Sequence, residues 1–230
     1  MALAIEQTRG IRPVQPKIDA YPGGFLRDGE GYQITISGVN KRVPIDVRPG
    51  IKARIPNILL QVTRPFSNGC DTHDNRIKKA FSRRYKGDPE GLLEDNPVQV
   101  VAVPRSLSMP NSFSAKEYAQ NEAWDLIILD GNGRARWAAN YGITNPNCNV
   151  QNIHEITKNF HRENFSHVTP AMVAVALKKE ADTADGSYLA AKEEPVGCRR
   201  GIRYATPRPL SSEELEQTIP GFFAKLQASN

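Results

Sequence analysis

The stretch that most constrains this chain runs from Leu126 to Gly142, LIILDGNGRARWAANYG. Four successive apolar residues, Leu126, Ile127, Ile128 and Leu129, suit a strand buried on both faces. Asp130-Gly131-Asn132-Gly133 then supplies turn chemistry, since glycine adopts backbone conformations closed to other residues. Arg134 to Tyr141 contains no breaker, and Gly142 stands where a helix C-cap glycine would. The unit reads as strand, tight glycine turn, short helix. Such a turn points several backbone N–H groups and a helix N-terminus at one place, which makes an anion site. Gly131 and Gly133 would let the backbone approach a phosphate, and Arg134 and Arg136 would add charge-assisted hydrogen bonds. Asp130 and Asn132 are the catalytic candidates of the turn, and Glu155 is a further acid/base candidate. The same residues also fit a plain tight turn followed by a solvated helix face.

Two better-known phosphate motifs are excluded. GxxxxGK[ST] is absent, so there is no P-loop. GNGR resembles part of a Fic-type site, but Leu126 stands where that site needs histidine and Trp137 where it needs its second arginine.

Elsewhere the organisation is that of one domain with decorated ends. Residues 1–50, with glycines and prolines around Tyr32-Gln33-Ile34-Thr35-Ile36, read as an arm with a strand or hairpin. Ile58 to Val62 reads as a strand ending at Thr63-Arg64-Pro65-Phe66. DNRIKKAFSRRYK, from Asp74, reads as an amphipathic helix carrying Arg76, Lys78, Lys79, Arg83, Arg84 and Lys86. Val98 to Val103 is a β-branched run ended by Pro104, and a short helix is expected around Ala115 to Asn121. Helical patterns cover Gln151 to Asn164 and Thr169 to Glu180, the latter with Thr169 as N-cap and Pro170 at its first position. Residues 181–230 read as a basic, proline-containing extension, closed by a helix starting at Ser211-Ser212-Glu213-Glu214.

The net charge of +5 and the pI near 9.1 are compatible with a phosphate-rich partner. Cys70, Cys148 and Cys198 are odd in number and widely spaced, which argues against a disulfide framework or a zinc site. No apolar run is long enough to span a membrane, and the N-terminus lacks a signal-peptide pattern, so a cytoplasmic protein without a membrane partner is expected. His73 between Asp71 and Asp74 is the one local metal-like cluster, and it also suits a helix start. Cys70 lies upstream of the glycine turn rather than in it.

Several segments, in this order, resemble the N-terminal domain of ParB-type proteins of the ParB/sulfiredoxin-like superfamily. Thr63-Arg64-Pro65-Phe66 resembles the first nucleotide motif. The basic helix, Gly91 and the strand from Pro97-Val98 resemble the family's next segment. Gly131-Asn132-Gly133-Arg134-Ala135-Arg136 resembles the phosphate-binding turn, and Lys158-Asn159-Phe160-His161-Arg162-Glu163-Asn164-Phe165 the third motif. The likeness spans Ile55 to Leu177.

This resemblance implies an α+β fold, a mixed sheet with packed helices, over residues 51–180. It implies a nucleoside triphosphate with magnesium, CTP or ATP, bound through Arg64, Gly131, Gly133, Arg134 and Arg162, with Asn159 as a magnesium contact. Asn132 stands in place of the glutamate tied to hydrolysis, Gly133 in place of the first paired arginine, and Lys158 in place of a glutamate, so the resemblance speaks for fold more than for turnover. The family's helix-turn-helix is not found here. DNA contact would rest on the cations of the basic helix and on Arg199, Arg200, Arg203 and Arg208, and would be directed at the DNA backbone. The expected function is a nucleotide-binding, DNA-associated accessory protein of a partition system or mobile element, with a homodimer among its expected states. The alternatives are a metal-dependent nuclease or weak NTPase on the same scaffold, and a basic adaptor or virion protein without enzymatic activity.

Overall fold

A computed structural model of the chain describes residues 18–21, 24–26, 36, 39, 43, 45–46, 50–63, 88–109, 121–140, 142–183, 188–196, 199–205 and 208–229. The elements begin with β1 (Ile18–Tyr21), β2 (Gly24–Leu26) and β3 (Ile51–Arg54). A 3-10 turn (Asn57–Leu59), β4 (Leu60–Gln61), α1 (Pro89–Asp95) and β5 (Val98–Pro104) follow. The one-turn helix α2 (Arg105–Ser108), β6 (Ala123–Asp130), α3 (Asn132–Asn140), β7 (Asn147–Asn152), α4 (Ile153–Arg162) and α5 (Pro170–Thr183) complete the middle. The chain closes with β8 (Tyr188–Val196), β9 (Arg199–Ala205), β10 (Leu210–Ser211), α6 (Ser212–Thr218) and α7 (Phe222–Ser229).

Six strands form one mixed sheet, in the order β10-β6-β5-β7-β3, with β4 pairing β6 in parallel beside β10. β5 runs antiparallel to β6 and parallel to β7. Helices pack around this sheet, so the fold is α+β. β5 is buried at every position, and β6 at all but its first. Both can read as continuous apolar runs because both faces are covered.

The period of two along each strand sorts the core into two layers. Val98, Val100, Ala102, Leu126 and Ile128 face α3 (Ala135, Ala138, Ala139), together with Leu215, Ile219 and Phe222 from the C-terminal helices. Val101, Val103, Ile127 and Leu129 face α4 and α5 through Ile153, Ile156, Phe160, Val173 and Leu177, with Ile36, Val43 and Ile45 in the same layer. Each fully buried Val, Leu, Ile or Phe side chain among them contributes about 1.5–3 kcal/mol.

Local signals set several boundaries as expected. Thr169 Oγ1 accepts the Met172 N–H at 3.2 Å, capping α5. Ser211 and Glu214 form a reciprocal capping box that starts α6. Gly142, at φ +81°, closes α3: its N–H donates to Ala139 O and that of Ile143 to Ala138 O, the Schellman pattern.

Other expectations need correction. Ile58 to Val62 is not one strand: Pro56 leads into a 3-10 turn that leaves Ile58 48% exposed, and only Leu60 and Gln61 pair with β6. Asn57 holds that turn by bonding Ile143 O through Nδ2 and Thr144 O through its N–H. The helix expected from Gln151 starts at Ile153, because Gln151 and Asn152 end β7 and Asn152 caps α4 in a box with Glu155. The C-terminal segment is more than an extension: β10 joins the main sheet, and Trp124 meets Phe222 and Phe223 edge-on at 5.5 and 5.6 Å. Its basic stretch includes β9, paired with β8 as a two-stranded ribbon. In the N-terminal region β1 and β2 pair as a hairpin, and of the stretch Tyr32 to Ile36, read as a strand or hairpin, only Ile36 is among the described residues. The basic helix from Asp74 and the helix around Ala115 lie outside the described residues.

Cys148 is buried in β7, where its thiol approaches Pro146 O at 3.4 Å. Burial pushes its ionisation far above the ordinary thiol range. Iodoacetamide treatment of the native protein, followed by peptide mapping, should leave Cys148 unmodified, and denaturant should make it reactive. Alkylation under native conditions at the rate seen in denaturant would contradict this packing.

Candidate functional site

The glycine turn is formed as its sequence suggests, but its side chains are spoken for. Gly131 has φ +99°, and its carbonyl accepts the Ala135 N–H, so the first turn of α3 begins immediately after β6. A side chain at Gly131 would collide with the Arg134 guanidinium, the nearest atom lying 2.8 Å from where a Cβ would sit. Glycine is thus required twice, for its backbone angle and for its lack of bulk.

Arg134 folds back over that glycine instead of projecting outward. It is 3% exposed and pairs with Asp130 at 2.6 Å, with Pro97 O a longer contact at 3.4 Å. Asn132 is also buried: its Oδ1 accepts the Thr63 N–H at 3.0 Å and its Nδ2 donates to Thr63 Oγ1 at 3.1 Å. Thr63 in turn donates to Ile128 O. The two catalytic candidates, Asp130 and Asn132, therefore both serve the turn's architecture. Gly133 is the half-buried member of the turn and stands among the first N–H groups of α3, which have no acceptor inside the helix.

The other expected site residues fall elsewhere. Asn159 is 4% exposed, its Oδ1 accepts the Asp46 N–H at 2.9 Å, and its amide donates to Glu155 O at 2.8 Å. Gln151 bonds the carbonyl of the same Asp46. Asn159 thus fastens the segment around Asp46 across α4, and an oxygen so enclosed does not fit a magnesium contact. Arg162 is exposed at the C-terminal end of α4, which packs on the sheet face opposite α3. Glu155 joins the Asn152 capping box and pairs with Lys225 at 3.4 Å. Among the described residues no group of three His, Cys, Asp or Glu side chains could hold a metal ion.

Arg64, the six cations Arg76, Lys78, Lys79, Arg83, Arg84 and Lys86, together with Cys70 and the Asp71 to Asp74 cluster, lie outside the described residues. Arg199, Arg200 and Arg203 sit on β9, and both strands of that ribbon run against α3. Arg208 is held by Glu214 through two contacts, at 2.8 and 3.0 Å. The backbone N–H of Ser211 and this guanidinium stabilise the Glu214 carboxylate and hold its pKa below the usual carboxylate range.

One cluster is not signalled by any motif. Asp125, with a fully buried side chain, takes a forked contact from Arg105 at 3.0–3.2 Å and lies 3.9 Å from Lys178 Nζ. Lys178 also donates to Gln61 Oε1 at 3.3 Å and pairs with Asp182 at 2.9 Å. The available hint was an acid, Asp125, placed between Trp124 and the apolar run Leu126 to Leu129. Against this geometry, no protein-family model matches the chain, and no curated protein or solved structure matches it either. No helix among the described residues is long and apolar enough to cross a membrane.

Proposed function

We propose that this protein is a nucleotide-binding, DNA-associated accessory protein, a partition or mobile-element type of switch. The reading rests on one observation: a buried strand that ends in a glycine turn with Gly131 at φ +99° and delivers the N-terminus of α3 directly behind it. Backbone N–H groups there, led by Gly133, receive the nucleotide phosphate. Arg134 contributes by keeping the turn closed through Asp130. Arg64, one residue beyond the Thr63 that Asn132 holds, supplies a cation for the same phosphate. The magnesium of the nucleotide is carried by phosphate oxygens and water rather than by Asn159. DNA is held through its backbone by the basic ribbon strand β9, alongside α3, and by the cations between Arg76 and Lys86.

A titration of ATP, CTP, GTP and UTP with magnesium, followed by an assay for inorganic phosphate, tests the first half. Saturable binding of at least one nucleotide with little release is the expected result, and no binding of any would end the reading. For DNA, the triple variant Arg199→Ala, Arg200→Ala, Arg203→Ala should bind unrelated duplexes more weakly and by similar factors. Its salt dependence should flatten by about 0.9 in log–log slope for each DNA phosphate that the ribbon ceases to neutralise. An unchanged slope removes the ribbon from the interface.

A further inference from the structure

A groove of about 460 Å³ opens on the sheet face opposite α3, lined by Ser108 and Met109 at the end of α2 and by Val175, Lys178, Lys179 and Asp182 of α5. Four features give it chemistry. Val175 is 41% exposed, one of two large apolar residues so placed among the described residues, and Met109 lines the same groove. Ser108 is 7% exposed, yet its hydroxyl has no hydrogen-bond partner among the described residues. A buried hydroxyl left in that state costs about 1–3 kcal/mol, so a ligand or solvent atom at the groove would be favoured.

Lys178 is the third feature. Its side chain is 17% exposed, and its ammonium has two oxygen acceptors within hydrogen-bond distance, Asp182 at 2.9 Å and Gln61 at 3.3 Å, with the Asp125 carboxylate as a third, ion-paired acceptor at 3.9 Å. Two of those acceptors are fixed, because Gln61 belongs to β4 and Asp125 is clamped by Arg105. The fourth feature is the remaining acceptor. Asp182 is 59% exposed in the last turn of α5 and is the one partner that can leave at little cost.

From this arrangement we infer that the groove binds a small organic carboxylate with an apolar body, and that Asp182 occupies its place on Lys178 when the groove is empty. The ligand's carboxylate takes the Lys178 ammonium and the Ser108 hydroxyl. Its apolar part lies on Met109 and Val175. A volume of this size is in the range of small-molecule sites. The inference is independent of the glycine turn, since Asp125 and Asp130 are five residues apart along β6 and Asp125 lies on the opposite face from Asp130.

Benzoate serves as the probe and benzyl alcohol as its neutral counterpart, each titrated into the full chain while the methyl resonances of Met109 and Val175 are followed by NMR. Benzoate should shift both resonances saturably, and benzyl alcohol should bind at least tenfold more weakly. Asp182→Asn should tighten benzoate at least threefold, because the internal competitor is gone, while Glu94→Gln, an exposed charge change on α1, should leave affinity unchanged. Lys178→Gln should abolish binding; if that variant fails to fold, Asp182→Asn still decides. Absence of a saturable benzoate shift, equal binding of benzyl alcohol, or no tightening in Asp182→Asn overturns the inference.

Discussion

Asp130→Ala should lower the unfolding free energy by about 3–5 kcal/mol, because it strips the carboxylate from a guanidinium that stays buried. Arg134 is 3% exposed and its 2.6 Å contact with Asp130 spans the glycine turn, so the loss falls on the structure that positions the first N–H groups of α3. Urea denaturation of the wild type and the variant measures it. The double variant Asp130→Ala, Arg134→Met should recover most of the loss, since it removes the buried charge together with its partner. A single-variant loss below about 1 kcal/mol would mean that the pair is not buried as described. There is a functional consequence. Had Arg134 projected into solvent, its removal would, under the proposed function, weaken nucleotide binding and little else. Because it is folded over Gly131, Arg134→Ala should reduce stability first, so nucleotide affinity must be compared under conditions where the variant is fully folded.

How much of this was legible in the sequence depends on the range over which each residue is satisfied. β5 and β6 were readable because Val100 to Val103 and Leu126 to Leu129 are apolar on both faces, which is what a strand covered on both sides requires. The start of α5 was readable because Thr169 caps it locally. β7 was not. Its sequence, Asn-Cys-Asn-Val-Gln-Asn, alternates only through Cys148 and Val150, and its other buried side chains are polar and matched by distant partners: Asn149 by Gln99, and Gln151 by the backbone of Asp46. Partners 50 and 105 residues away leave no local pattern. The docking of the C-terminus is similar. Its capping box is visible at Ser211 and Glu214, but the edge-on packing of Phe222 and Phe223 on Trp124 joins residues far apart in the chain.

The candidate site shows the same division. The glycine turn and the helix behind it follow from local chemistry, and the structure has them. The roles of its side chains do not follow. Asp130 and Arg134 are four apart, the spacing of an ion pair along a helix, but Asp130 belongs to a strand, and the pair closes only because Gly131 reverses the chain at φ +99°. Asn132 likewise looks like a turn residue offered to a ligand until Thr63 arrives from β4 to occupy both ends of its amide.

Asp125 gives the second large expected effect. Its side chain is fully buried, and the Arg105 fork and Lys178 approach the same carboxylate from α2 and α5. Two cations were desolvated around one anion, so removing the anion leaves like charges facing each other beneath α5. Asp125→Ala should therefore cost about 3–5 kcal/mol in urea denaturation. Arg105→Lys keeps the charge but loses the planar fork, and should cost less, about 1–2 kcal/mol, the worth of a charge-assisted contact made imperfectly. The order of the two losses is the informative quantity. If Arg105→Lys were as damaging as Asp125→Ala, the site would depend on the shape of the guanidinium more than on the buried carboxylate. If Asp125→Ala cost nothing, the carboxylate would be hydrated in solution, and Lys178 would lose the fixed anchor that leaves Asp182 as its exchangeable partner.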